Sequence, residues 1–264
     1  MARSQLVSNP FLYTDVFKVD FPGGVIEPGA AQDYMEESSD QNYILGMRGR
    51  IFGDDRIYRY GQAAATAIVV GAIVSPDVSA LGVIDTDNIV DAAEAIGQTV
   101  VKMDGTGYSS IVANQFAGGI FGITGDTGAG HGYPIGANTA SANTDEVDLT
   151  LLRPIRVALD TTSDTMIMPL PFDNLVIADA TDGFVVGVTP LAITASYYFW
   201  IQRRGRAVVL VEAAAGTTLW QDLTMSDSTA GSCQDKDAHT EVTIGFCIAA
   251  GDASGYAGVY LTLE

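Results

Sequence analysis

Residues 259–264 read Val259-Tyr260-Leu261-Thr262-Leu263-Glu264. Val259, Leu261 and Leu263 fall on one side and Tyr260, Thr262 and Glu264 on the other, the period of two that marks a strand with one buried face. Just upstream, Val242, Ile244, Phe246 and Ile248 share one side, with Thr243, Gly245, Cys247 and Ala249 opposite. Further back, 197–204 and 206–212 read as two strands joined through Arg204-Gly205, where glycine supplies the positive φ of a tight hairpin. Shorter strands are expected at 57–60, 67–74, 99–103, 119–124, 147–152, 175–178 and 184–188, separated by glycine, asparagine and aspartate.

Only 87–98 carries good helix formers behind an N-cap, with Ile89, Ala92, Ala93 and Ile96 on one face; the other reading of this stretch is a loop feeding a strand from Thr99. Many short strands without alternating long helices predict an all-β fold, a small barrel or sandwich of β-tulip type. Val69-Val70-Gly71, Val185-Val186-Gly187 and Thr243-Ile244-Gly245 place glycine inside apolar strands, which predicts strong bends. Three regions are expected: an extended arm over 1–42, a first β-rich part over 43–170 and a second over 171–264. The break between the two β-rich parts fits Pro169–Pro171 or Asp179–Gly183.

The arm holds Pro10, Pro22 and Pro28, yet aromatic residues punctuate it at Phe11, Tyr13, Phe17, Phe21 and Tyr34. A disordered tail seldom carries so many apolar anchors. The arm is expected to lie on its own body or on a neighbouring subunit, and the residues leave both open.

The chain has 264 residues, 47% of them hydrophobic, with 32 acidic and 13 basic side chains and a net charge of −19. That balance argues against phosphate-backbone binding, which needs clustered cations, so no nucleic-acid partner is expected. The longest apolar run, 63–74, is shorter than the roughly 20 residues a membrane helix needs, and neither a secretory signal nor a membrane partner is expected. Cys233 and Cys247 are too few for a disulfide framework or zinc site and read as free thiols, the alternative being a single bridge between them.

Little points to catalysis. His131 and His239 sit in polar surroundings without partners at ligand spacing. Gly125-Asp126-Thr127-Gly128-Ala129-Gly130-His131-Gly132 lacks the lysine and hydroxyl residue of a phosphate-binding loop and reads as a β-turn loop. Asp85, Asp87 and Asp91, or Asp104 with Asp126, offer carboxylates without EF-hand spacing, and no metal or cofactor is expected. The arginines are more informative: Arg48, Arg50, Arg56 and Arg59 cluster, as do Arg203, Arg204 and Arg206. Such guanidinium groups serve protein interfaces or pair with the chain's own carboxylates.

Residues 48–63, Arg48-Gly49-Arg50-Ile51-Phe52-Gly53-Asp54-Asp55-Arg56-Ile57-Tyr58-Arg59-Tyr60-Gly61-Gln62-Ala63, resemble a family of tailed-bacteriophage capsid decoration, or cement, proteins, as does the strand ending at Ala72-Ile73-Val74-Ser75-Pro76. Three later stretches resemble it too: Ala113–Gly119 with Gly128–Tyr133, Leu151–Leu159, and Gly187–Ile193 with Tyr198–Gln202 and Gly205. The ordered set spans roughly 43–264; the arm and the acidic segment 226–240 depart from it. The resemblance implies a homotrimer on the outer capsid surface of the virion that staples neighbouring major capsid subunits, with no catalytic residues. On that reading Phe11, Tyr13, Phe17, Phe21, Arg48, Arg50, Arg56 and Arg59 form the capsid or subunit interface. The competing expectation is a receptor- or glycan-binding head-fibre or tail protein using Tyr197, Tyr198 and Trp220. A hydrolase built on His131 or His239 is a third and poorer reading.

Overall fold

A computed structural model describes residues 17–21, 24–25, 31–51, 53–77, 88–104, 110–142, 146–179 and 184–264. The protein is all-β, and no helix occurs among the described residues. It divides into two compact units, 1–77 with 171–264 and the inserted 78–170. The return crossing coincides with the Pro169–Pro171 break, but residues 43–77, grouped from sequence with 78–170, pack with 171–264 instead.

The first unit begins with β1 (Phe17–Phe21), β2 (Gly24–Val25), β3 (Arg48–Ile51), β4 (Ile57–Gln62) and β5 (Ile73–Pro76). The inserted unit holds β6 (Asn88–Ile89), β7 (Val100–Met103), β8 (Ser110–Ile111), β9 (Ile120–Gly125), β10 (Gly132–Asn138), β11 (Ser141–Ala142), β12 (Val147–Leu151) and β13 (Asp164–Met168). The first unit resumes with β14 (Leu175–Ile177), β15 (Gly187–Val188), β16 (Tyr198–Leu210), β17 (Asp222–Met225), β18 (Cys233–Asp235), β19 (Gly245–Ala249) and β20 (Tyr256–Thr262). Its sheet runs β18-β17-β19-β20-β16-β4-β3-β1-β2, with β14, β5 and β15 joined through β16; the main sheet of the inserted unit runs β6-β13-β9-β10-β12-β7. Neither order closes on itself, so the architecture is sandwich-like rather than a barrel.

β16 corrects the expected hairpin. It is one strand of 13 residues whose first half pairs with β4, Trp200 opposite Tyr60, and whose second half pairs with β20, Arg206 opposite Tyr260. Gly205 (φ +80°) bends this strand where a Cβ would meet Asp55 and Arg56, and no turn forms. On β20, Val259 and Leu261 face the core as expected. Ile244 is buried in the core as expected, but register inverts the expectation from Gly245 onward: Cys247 lies opposite Val259 and is buried, whereas Phe246 lies opposite Tyr260 and stacks on it at 5.3 Å. Opposed residues share a face, so the partner strand decides which side is inward.

The candidate helix at 87–98 does not form. Val90 N–H goes to Ser163 O, Asp91 to Lys102 O, Glu94 to Leu159 O and Gly97 to Ile155 O, so these amides are spent on other segments and not on carbonyls four residues back. It is the alternative, a segment leading into β7. The run 67–74 is likewise not one strand: Ala72 N–H donates to Val69 O, closing a turn with Gly71 at φ +71° before β5 starts.

That turn is a recurring device. Gly71 N–H donates to Thr189 O while Thr189 N–H donates to Ala72 O, so two residues oppose one; this is a β-bulge with its first residue left-handed. The same bonds are made by Gly46-Met47 across from Tyr60, Gly97-Gln98 across from Ile155, Gly118-Gly119 across from Ile135, and Trp220-Gln221 across from Cys247. In each unit one copy continues into a reciprocal bridge, Ile68 with Ile193 in the first and Glu94 with Leu159 in the inserted unit.

Candidate functional site

Three features of the first unit concern the expected interface: the inner end of the arm, the arginines, and an exposed apolar face. β1 hydrogen-bonds to β3, placing Phe17 opposite Ile51 and Val19 opposite Gly49. A side chain at Gly49 would overlap the Phe17 ring and stand 2.9 Å from Trp200, so glycine opens the slot that Phe17 fills. Phe17 packs edge-on against Trp200 at 4.8 Å and Tyr58 at 5.7 Å, and Tyr34, Tyr43, Tyr60 and Tyr198 complete the cluster. Gln32, 2% exposed, clips the following segment down: its carbonyl accepts from Trp200 Nε1, its side-chain oxygen from the Tyr60 hydroxyl and Asn42, and its amide donates to Tyr198 O. Burial pushes the Tyr60 hydroxyl up to about 12. The described parts of the arm thus lie on the chain's own body. Phe11 and Tyr13 fall outside the described residues, as does the side chain of Phe21.

The arginines meet the chain's own carboxylates. Arg59 grips Glu264 bidentately at 2.6 and 3.0 Å, and Arg48 (3.4 Å) and Arg203 (3.3 Å) converge on the same side chain. Asp20 on β1 bridges Arg48 and Arg50, both at 3.3 Å, tying the arm strand to β3 by charge as well as by ladder. Asp54 accepts from Arg56 at 2.9 Å and faces Arg206 at 3.5 Å. Burial alone would lower the Arg56 pKa, but Tyr58 and Asp54 outweigh it and hold the pKa above the ordinary arginine value. Arg203 is shifted down by burial, with Arg59 adding to the effect and Glu264 opposing it.

The exposed apolar face centres on the Gly71 turn. A groove of about 490 Å³ includes Met35, Val70, Val208 and Ile248 together with Arg56 and Arg206. A second depression of about 650 Å³ includes Val69, Val70, Ile193 and Tyr256, so Val70 belongs to both. Met35, Val69, Val70, Tyr256 and Val208, the last 63% exposed, are large apolar side chains in water. Sequence reading missed this face because the apolar run at 67–74 looked like a buried strand; Gly71, with its need for positive φ, was the available signal.

The remaining candidates are dispersed. Tyr198 stacks on Tyr60 and Tyr197 packs against a core cluster, so neither joins Trp220 in the expected exposed groove; Trp220 alone stands out, 68% exposed. His131 donates to Gly128 O at 2.9 Å and stacks on Tyr133, within the β9–β10 turn that the glycine-rich segment forms. Asp91 hydrogen-bonds to Glu146, which raises its pKa; Asp85 and Asp87 fall outside the described residues, and no cluster of three metal-ligating side chains occurs among the described residues. Cys233 and Cys247 are free and buried, and burial pushes the Cys233 thiol up to about 12. No protein-family model, curated protein or solved structure matches the chain.

Proposed function

We propose that this protein is a structural virion component that decorates the outer face of a phage capsid and cements neighbouring major capsid subunits, acting as a homotrimer and without catalysis. The observation that carries the reading is the apolar face around Val70 and Val208, whose groove Arg56 and Arg206 also line. Contiguous exposed apolar surface of this kind marks protein docking sites, and arginine beside it suits an interface. The ordered resemblance to decoration proteins points the same way. The contact shifts, however, from the arginines themselves to this face: Arg48, Arg50 and Arg59 already have carboxylate partners, and Phe17 is spent in the chain's own core.

The test is reconstitution onto capsids stripped of this protein. Val70→Asp with Val208→Asp is expected to fold and to lose most head occupancy, because both side chains are exposed in the free protein. Full occupancy by the double variant overturns the reading. Imaging of the particle separates it from the head-fibre or tail alternative: density spread over the shell supports decoration, and density confined to the tail supports the alternative.

A further inference from the structure

Trp220 occupies a position that the rest of the fold gives to small residues. Gln221 N–H donates to Thr218 O, closing a turn whose third residue, Trp220, has φ +70°. This is the position that glycine or asparagine ordinarily takes in such turns. Elsewhere in the chain Gly46, Gly71, Gly97 and Gly118 hold it, with Asn114, Ser196 and Ser254 as small polar substitutes. An indole here carries backbone strain and gains little burial in return, being 68% exposed.

The surroundings give that indole a use. Trp220 lines an open pocket of about 360 Å³ with Gln221, Asp222, Lys236, Asp237 and His239. Gln221, Asp222 and His239 are exposed, and their side chains bond to no other described residue; Lys236 is oriented by a bond from its ammonium to Thr243 Oγ1 at 2.9 Å. The pocket therefore sets one flat aromatic face beside carboxylates, an amide, an ammonium and an imidazole. Those groups both accept from and donate to hydroxyls. Two carboxylates against one ammonium disfavour an anion. A flat apolar ring rimmed by hydroxyls and lacking charge fits: its C–H face lies on the negative face of the indole.

We propose that the Trp220 pocket binds a neutral saccharide, through stacking of a pyranose ring on the indole and hydroxyl contacts to Asp222, Asp237 and Gln221. This goes beyond capsid attachment and does not depend on it. The two tryptophans make the test direct, since Trp200 is fully buried and its indole N–H is bonded to Gln32 O. The full-length protein is titrated with cellobiose, maltose, diacetylchitobiose and methyl α-mannoside, and with sialyllactose as the anionic control, following both indole N–H resonances. The expected result is saturable movement of the Trp220 signal with at least one neutral sugar, a still Trp200 signal, and weaker binding of the anionic control. Trp220→Gly suits the backbone and keeps the fold; it is expected to weaken binding at least tenfold, and Asp222→Asn to weaken it several-fold. Flat titrations with all four neutral sugars overturn the proposal, as does unchanged binding by Trp220→Gly measured calorimetrically.

Discussion

Gly71 and Trp220 hold the same backbone position in the same kind of bulge, within the same unit, at φ +71° and φ +70°. One carries no side chain and the other the largest there is. Around Gly71 there is no room: a Cβ would stand 3.0 Å from the Tyr256 ring and 3.2 Å from Val208 O. At Trp220 the side chain projects into solvent. The backbone therefore tolerates any residue the space allows, at a strain of about 1–3 kcal/mol, and what decides identity is what the position faces. Glycine at 71 lets Tyr256 and Val208 close over the turn beside the apolar face; tryptophan at 220 is itself the surface.

The sharpest way to break this comparison is Gly71→Val. Strain and crowding then act together, and we expect a loss of about 3 kcal/mol, read as a lower urea midpoint with unchanged m. Gly97→Val separates the two terms. Gly97 makes the same bulge at φ +93°, in the inserted unit, and a Cβ there would have nothing within 4 Å. Only strain remains, and about 1–2 kcal/mol is expected from the same measurement. Equal losses at the two glycines would mean that packing over Gly71 is unimportant.

Trp220→Gly runs the other way. Removing a large aromatic residue ordinarily destabilises, but this one is exposed and sits where glycine is favoured. The expected result is a midpoint unchanged or raised, by up to about 1 kcal/mol. A loss above about 1 kcal/mol would show that the indole packs in the fold rather than serving as surface.

What could be read from the chain alone follows from the same distinction. Alternation at 259–264 identified β20 and its buried face, because one face of that strand meets the core and the other meets water. The same logic failed at 245–248, past the buried Ile244: Phe246 and Ile248 are the more apolar set, yet pairing with β20 turns Gly245 and Cys247 inward. It failed also at 164–168, where buried Thr165 alternates with Ile167 and hides β13 from a hydropathy pattern. The bulges are invisible to composition, since Ile68-Val69-Val70-Gly71-Ala72 and Thr217-Thr218-Leu219-Trp220-Gln221 share no residue at any matched position and are alike only in backbone bonds. The arginine cluster was legible as a cluster. Its partner Glu264, 205 residues from Arg59, was not, because ion pairing across a sheet leaves no local trace.

The smallest expected effect concerns how the two reciprocal bridges continue. After Ile193, the Thr194 amide and hydroxyl bond to Glu37, brought in from the arm. After Leu159, the inserted unit supplies its own carboxylate: Asp160 accepts from the hydroxyl and amide of Thr162 and from the Thr127 hydroxyl. The Thr162 hydroxyl, then the Thr162 amide and then Thr127, hold the Asp160 carboxyl below its ordinary value of 3.8. A depressed folded-state pKa means that this stabilisation is complete above the unfolded value and disappears as pH falls through the folded one. Asp160→Asn keeps an acceptor oxygen but removes the charge. The variant should be less stable than the parent at neutral pH, with the gap narrowing once pH drops below about 3.8 and closing in stronger acid. Urea midpoints across a pH series read this directly. A gap that stays constant with pH would assign the bonds at Asp160 to geometry alone, and the two bridges would then differ in shape rather than in charge.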